Sequence, residues 1–205
     1  MPILSTPWAV FEWDGNNNDA TGNHSAMLGG SYTPGLLDQA LVGNAFAFPL
    51  FGPFTLPDFV NGDLTLSYWY NLTAGDLTSS FTLHSLFFRD EFSPSNLRSY
   101  EFNFRCDGAG NTSLMCIGSV IREEATPALT PGWYHVVWKI ESGQARVFLN
   151  GVELGTATAM TYSTGIFGGN LVSVGPGQVS SGPTDQLAIF PSAIPDSEIL
   201  LLYGD

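Results

Sequence analysis

Lysine occurs once in the 205 residues, at Lys139, and only 6 basic side chains stand against 19 acidic ones, a formal charge of −13. Phosphate backbones are gripped by Lys and Arg that displace counterions, so this balance excludes nucleic acid as a partner. It excludes an anionic membrane surface for the same reason. Charged residues of both signs make up 12%, about half the usual share of a soluble domain. Such a surface must be covered by Ser, Thr, Asn and Gly, or by neighbouring subunits. No apolar run approaches the roughly 18 residues of a membrane-crossing helix, and the opening MPILSTPWAVFEWDG lacks the basic and apolar segments of a secretory signal. The expectation is an unprocessed product made in a cytoplasm. No linker and no repeat of about 20–50 residues divides the chain, so one domain over 1–205 is expected, with 1–7 as an extended N-terminal arm.

Only two cysteines are present, Cys106 and Cys116. They fall on two adjacent strand-like runs joined around Asp107-Gly108-Ala109-Gly110-Asn111. A bridge needs Cα atoms within about 7 Å, and a turn at Asp107–Gly110 puts the thiols out of register. Free thiols are expected, consistent with a reducing compartment.

What the chain does have is aromatic and turn-forming residues: 15 Phe, 7 Tyr, 5 Trp, 23 Gly and 13 Pro. That mixture suits many short strands around a two-layer core. Period-two alternation predicts strands near 8–13, 40–48, 64–71, 80–89, 98–106, 112–121, 133–141, 145–150, 171–175 and 184–190. Pro195-Asp196 followed by Ser197 and Glu198 suits a helix start, with proline and acids in the first turn. A helix over about 195–202 is predicted, sealing one end of the sandwich with Ile199, Leu200 and Tyr203. In the stretch from Gly132 to Gly155, Tyr134, Val136, Trp138 and Ile140 alternate with Trp133, His135, Val137 and Lys139. Ser142-Gly143 bends the chain back, and Asn150-Gly151 is the pair that best tolerates the positive φ of a tight turn.

Those residues carry a family likeness. The Trp133-x-His135-Val strand followed by Val147-x-Leu149-Asn150-Gly151 resembles the signature of the laminin-G-like, concanavalin A-like sandwiches. Phe11-Glu12-Trp13-Asp14-Gly15 with Asp19–Asn23, then Val42–Phe48, Asp63–Trp69 and Thr184–Phe190, resemble further landmarks of that family in the same order. The resemblance implies an all-β fold, a two-sheet antiparallel jelly-roll sandwich with one short C-terminal helix. It does not by itself assign a function.

Catalysis finds little support. Retaining glycosidases need two carboxyls about 5 Å apart, and hydrolases of this sandwich carry Glu-x-Asp-x-x-Glu or Glu-x-Asp-x-Glu on one strand. Glu12-Trp13-Asp14 lacks the second glutamate, and Glu123-Glu124 point to opposite faces. No Gly-x-Ser-x-Gly elbow and no zinc-spaced His/Cys cluster is present. No catalytic residue is expected, and His135 is expected to pack or hydrogen-bond within the sheet.

Two ligands remain. Many sandwiches of this kind hold a structural calcium between the first loop and the last strand, and the resemblance would bring Asp19, the Gly22 carbonyl and Asp185 together around Ca2+. The alternative is an Asx-rich turn capping its own backbone. Carbohydrate is the second ligand. Trp69 and Trp133 fall on the outward phase of their strands, where a ring can stack on a sugar, and Arg89 and Arg98 are nearby in sequence.

Phe51, Phe54, Phe59, Phe88, Phe92 and Phe167 lie in or near expected loops, and loop aromatics in such numbers point to surface buried against partners. With the low charge density they favour a non-enzymatic assembly module. The expectation is a bacteriophage virion component, head decoration or tail-associated, contacting other virion subunits and itself as a homo-oligomer such as a trimer. A secreted or surface lectin-like protein, extracellular in location, is the alternative.

Overall fold

In a computed structural model the described residues are 5–16, 18–23, 31–42, 63–80, 82–89, 99–117, 121–160, 171–176 and 182–204. Thirteen strands and one α-helix are built from them: β1 (Ala9–Phe11), β2 (Ser31–Pro34), β3 (Gln39–Val42), β4 (Leu64–Leu72), β5 (Thr82–Arg89), β6 (Ser99–Cys106) and β7 (Thr112–Ile117). There follow β8 (Ile121–Ala125), β9 (Gly132–Glu141), β10 (Gln144–Leu149), β11 (Val152–Ala159), β12 (Leu171–Pro176), β13 (Thr184–Phe190) and α1 (Asp196–Gly204). They form two antiparallel sheets, one of eight strands ordered β11-β10-β9-β4-β13-β3-β2 with β1 also paired to β13, the other of five ordered β12-β5-β6-β7-β8.

Alternation along each strand decides which side chains meet between the layers. Leu66, Tyr68 and Tyr70 of β4, Val136, Trp138 and Ile140 of β9 and Leu187 and Ile189 of β13 point inward from the larger sheet. Phe102 and Phe104 of β6 and Leu114 and Cys116 of β7 meet them from the smaller one. The Phe102 and Trp138 rings lie 5.5 Å apart, and Tyr70 and Phe104 5.1 Å apart. Burying rings of this size contributes about 2–3 kcal/mol each, which makes this layer the main source of stability.

The hairpin turns follow the sequence. Ser142 and Gly143 adopt φ of 50° and 72°, Asn150 and Gly151 50° and 74°. Both pairs have the positive angles that match the twist of the flanking strands.

Three expectations are corrected. The run 112–121 is two strands, because β8 reverses onto β7 with Ile117 opposite Ile121. β2 and β11 were not expected: SYTP ends in proline, and VELGTATA has no apolar alternation to mark it. The helix does not cap an end of the sandwich. It lies across the outward face of the eight-stranded sheet, where Val137, Phe148, Ala188, Phe190, Ile194 and Ile199 form a second apolar cluster. Leu200 is 56% exposed. The strand near 40–48 is seen as β3, its remainder lying outside the described residues, and Phe88 lies within β5. The other five loop phenylalanines fall outside the described residues.

The cysteines are buried and not joined by a disulfide. Cys106 pairs with Thr112 and Cys116 with Phe102, so four positions of register separate them. Ser5, in the expected arm, donates its N–H to Glu198 of α1 in the same chain, 3.1 Å.

Candidate carbohydrate-binding face

The outward face of the eight-stranded sheet carries residues of the opposite phase to the core. Thr65, Ser67, Trp69 and Asn71 of β4 stand across from Lys139, Val137, His135 and Trp133 of β9. Helix α1 buries the Ser67 end. At the other end the sheet passes beyond the helix, and Trp69, Asn71 and Trp133 are half-buried. The expected outward phase of both tryptophans is what the register shows.

Trp69 is not a bare platform. Its ring lies 5.0 Å from His135 and 5.8 Å from Tyr203, and His135 and Tyr203 are stacked at 6.1 Å. The three rings form one block, with Tyr203 in the last turn of α1 and 40% exposed. His135 is held beneath. Its Nε2 shares a 2.7 Å hydrogen bond with Ser67 Oγ, while its backbone N–H donates to Asn150 Oδ1 and its carbonyl accepts from Asn150 N–H. Burial pushes its pKa down to about 4, so the imidazole is neutral at physiological pH. Ser67 and His135 are 68 residues apart in sequence, which is why spacing alone did not reveal the pair.

That Ser–His contact pairs a nucleophile type with a base. Ser67 is 3% exposed and His135 1%, and Nδ1 meets no carboxylate that would orient the ring. Glu12 is exposed, whereas Glu123 and Glu124 engage Arg105 and Arg122.

Arg89 does not join the tryptophans. It stands on β5, opposite Ser99 and Leu171 in the five-stranded sheet, whereas Trp69 and Trp133 point outward from the other layer. The two sheets separate residues that sequence proximity grouped as sugar ligands. Arg98 lies outside the described residues.

The first loop and the last strand are each organised by a carboxylate. Asp19 Oδ1 accepts from the N–H of Val10 (2.9 Å) and Thr21 (3.0 Å), and Oδ2 from Thr21 Oγ1 (2.6 Å) and Asn23 N–H (3.2 Å). Gly22 takes a φ of 73° in this turn. Asp185 Oδ2 accepts from Leu36 N–H (2.9 Å) and Leu37 N–H (3.3 Å), and Oδ1 from Gln186 N–H (2.9 Å). Burial raises the Asp185 pKa to about 6. Among the described residues no three His, Cys, Asp or Glu side chains are grouped to hold a metal. Apart from the Thr21 hydroxyl, the donors that Asp19 and Asp185 use are backbone amides, so these carboxylates fit the self-capping turn better than a cation cage.

A family model of the concanavalin A-like lectin/glucanase superfamily matches residues 52–200. The chain belongs to this superfamily. Solved structures agree on the jelly-roll fold. One is domain 4 of AbnA, a GH43 extracellular arabinanase from Geobacillus stearothermophilus, in complex with arabinotriose. It is 21% identical, with a TM-score of 0.66 and coverage of 97% of this chain and 98% of that one. The receptor-binding domain of botulinum neurotoxin C/D mosaic serotype is 11% identical at a TM-score of 0.69, covering 97% of this chain and 51% of that one. Trypanosoma rangeli sialidase in complex with the inhibitor DANA is 14% identical at 0.60, covering 98% and 32%. This superfamily member therefore spans about half of the toxin domain and a third of the sialidase. Comparison with curated proteins gives no match.

Proposed function

We propose that the chain is a non-catalytic carbohydrate-binding module whose sugar face is the outward strip of Trp133, Asn71, Trp69 and Tyr203. The observation that carries this reading is the rigid, partly exposed aromatic block on a sheet face that α1 otherwise covers. A sugar stacks its C–H face on an immobilised ring at low entropic cost, because the ring has little freedom left to lose. Trp133, half-buried and opposite Asn71, has an amide beside it to donate and accept hydrogen bonds. The lectin-like fold supports the reading, as does the arabinotriose complex of the arabinanase domain. The buried, unoriented Ser67–His135 pair supports the absence of catalysis.

Isothermal titration with arabino-, gluco- and galacto-oligosaccharides tests it. Saturable binding to at least one, weakened tenfold or more by Trp133→Ala, is expected. A wild-type protein that binds none on a broad glycan array overturns it.

One observation favours a second reading, the assembly module on a phage particle. Ile121 on β8 and Val152 on β11 are 66% and 64% exposed, and both strands are sheet edges. Apolar side chains on open edges invite pairing with another chain. Light scattering of the pure protein and co-purification with head or tail subunits test this reading.

A further inference from the structure

We infer that the outward aromatic face takes uncharged glycans and rejects sialylated, uronic-acid and sulfated ones; this rests on the carbohydrate-binding reading. Recognition of a sugar carboxylate or sulfate calls for an unpaired guanidinium or ammonium, or for amides converging on the anion. The basic residues number six; Arg98 lies outside the described residues, and the strands of the other five do not bring an unpaired cation beside Trp69 and Trp133.

Lys139 and Arg146 are the basic residues of the eight-stranded sheet, and each is already clamped by two carboxylates. Lys139 Nζ lies 3.0 Å from both Glu141 and Asp196, with its side chain 4% exposed. Arg146 meets Glu153 at 2.5 Å and Asp196 at 2.7 Å, its guanidinium also lying 5.0 Å over the Phe148 ring. Recruiting either to a ligand would break a charge-assisted network and release its acids. Arg105 and Arg122 stand on the five-stranded sheet, paired with Glu123 and Glu124, and Arg89 stands on that sheet too.

Negative potential adds to the missing cations. Tyr203, in the last turn of α1, stacks on Trp69, so the helix brings its C-terminal end to this face. The unsatisfied carbonyls there carry roughly half a negative charge, and no basic residue stands in that turn to offset it. Asp185 is the register partner of Trp69. An anionic sugar on this face would meet that negative potential, while a neutral sugar needs only the rings and the Asn71 amide.

The experiment uses the wild-type chain and matched pairs of immobilised glycans: sialylated against desialylated N-glycans, polygalacturonate against its methyl ester, and sulfated against unsulfated galactans. Binding is read at low and at high salt with a chelator present, so that a bridging cation does not intervene. The expected result is binding to neutral members, with acidic counterparts about tenfold weaker at low salt and the gap closing as salt rises. Equal or tighter binding of the acidic members at low salt overturns the inference and leaves the carbohydrate reading standing. Binding of neither member of any pair overturns both.

Discussion

Tyr203 stacks on Trp69 at 5.8 Å with 23° between the ring planes, joining the last turn of the C-terminal helix to the centre of the eight-stranded sheet. The helix is otherwise held by Ile194 and Ile199 in the outer apolar cluster and by Asp196, which accepts from Lys139 and Arg146. Tyr203 is thus the clamp at its far end. Tyr203→Ala should lower stability by about 1–2 kcal/mol, the worth of a stacked, partly exposed ring. It should also red-shift the tryptophan emission as Trp69 becomes wet. Urea denaturation followed by fluorescence checks both, and an unshifted native spectrum would show that Tyr203 does not shield Trp69.

His135 and Asp185 make opposite demands on pH. Burial depresses the histidine from 6.5 to about 4, so the unfolded chain takes up its proton first and stability falls as pH drops from 6.5 towards 4. Burial raises the aspartate from 3.8 to about 6, so stability falls as pH rises through that window. Each effect amounts to about 3 kcal/mol at full extent, at 1.36 kcal/mol per pH unit. Between pH 4 and 6 the two nearly cancel. His135→Gln should therefore leave a protein that loses stability from pH 4 to 6, and Asp185→Asn one that gains it. Urea midpoints at half-unit steps of pH measure the slopes; parallel profiles for the two variants would refute the opposition.

The strand phases were legible because alternation is a local property. Leu66, Tyr68 and Tyr70 point inward as their period requires, and the Asn150-Gly151 turn follows from its φ preference alone. The placement of α1 was not read, although one signal for it was present. Val136-Val137-Trp138 is apolar on both phases, the mark of a strand buried on two faces, and Phe148 of β10 repeats the pattern. The separation of Arg89 from Trp69 was not legible, because sequence proximity says nothing about which layer a strand joins. The Ser67–His135 bond and the Trp69–Tyr203 stack depend on the cross-strand register of β4 with β9 and on the helix path, and no short motif encodes either.

Asp19 organises the first loop through its own turn, accepting four hydrogen bonds from Val10, Thr21 and Asn23. The expected outcome is that a chelator leaves the melting temperature unchanged. Asp19→Ala should cost about 2–4 kcal/mol by stranding partly buried N–H groups of Val10 and Thr21. Asp19→Asn should cost less, since one oxygen still accepts. A fall of several degrees on adding chelator, reversed by excess calcium, would instead place a cation at this loop.

Arg122 joins the two sheets at their open edge. It projects from β8 into the sandwich and is 3% exposed. Its guanidinium donates to the Ala145 carbonyl of β10 and, at 3.0 Å, to the Leu154 carbonyl of β11, while Nε donates to Glu124 at 3.2 Å. Gly155, at a φ of 64°, makes room for that glutamate, since a Cβ there would lie 2.1 Å from its carboxylate. Removing one member of such a buried set costs more than the set itself contributes, because the others are left desolvated and unpaired. Arg122→Ala is expected to destabilise by about 3–5 kcal/mol. Arg122→Lys should recover little, because one ammonium on a flexible stem does not reproduce a fork that reaches two strands at once. Gly155→Ala should cost more than the roughly 1 kcal/mol of an ordinary left-handed glycine, because it also displaces Glu124. In the Arg122→Ala background that excess should shrink, the guanidinium that Glu124 meets being already gone. A double-mutant cycle in urea measures the coupling. Additive losses would show that Gly155 acts through its backbone alone, whereas a coupling of about 1 kcal/mol or more would tie the glycine to the buried cation.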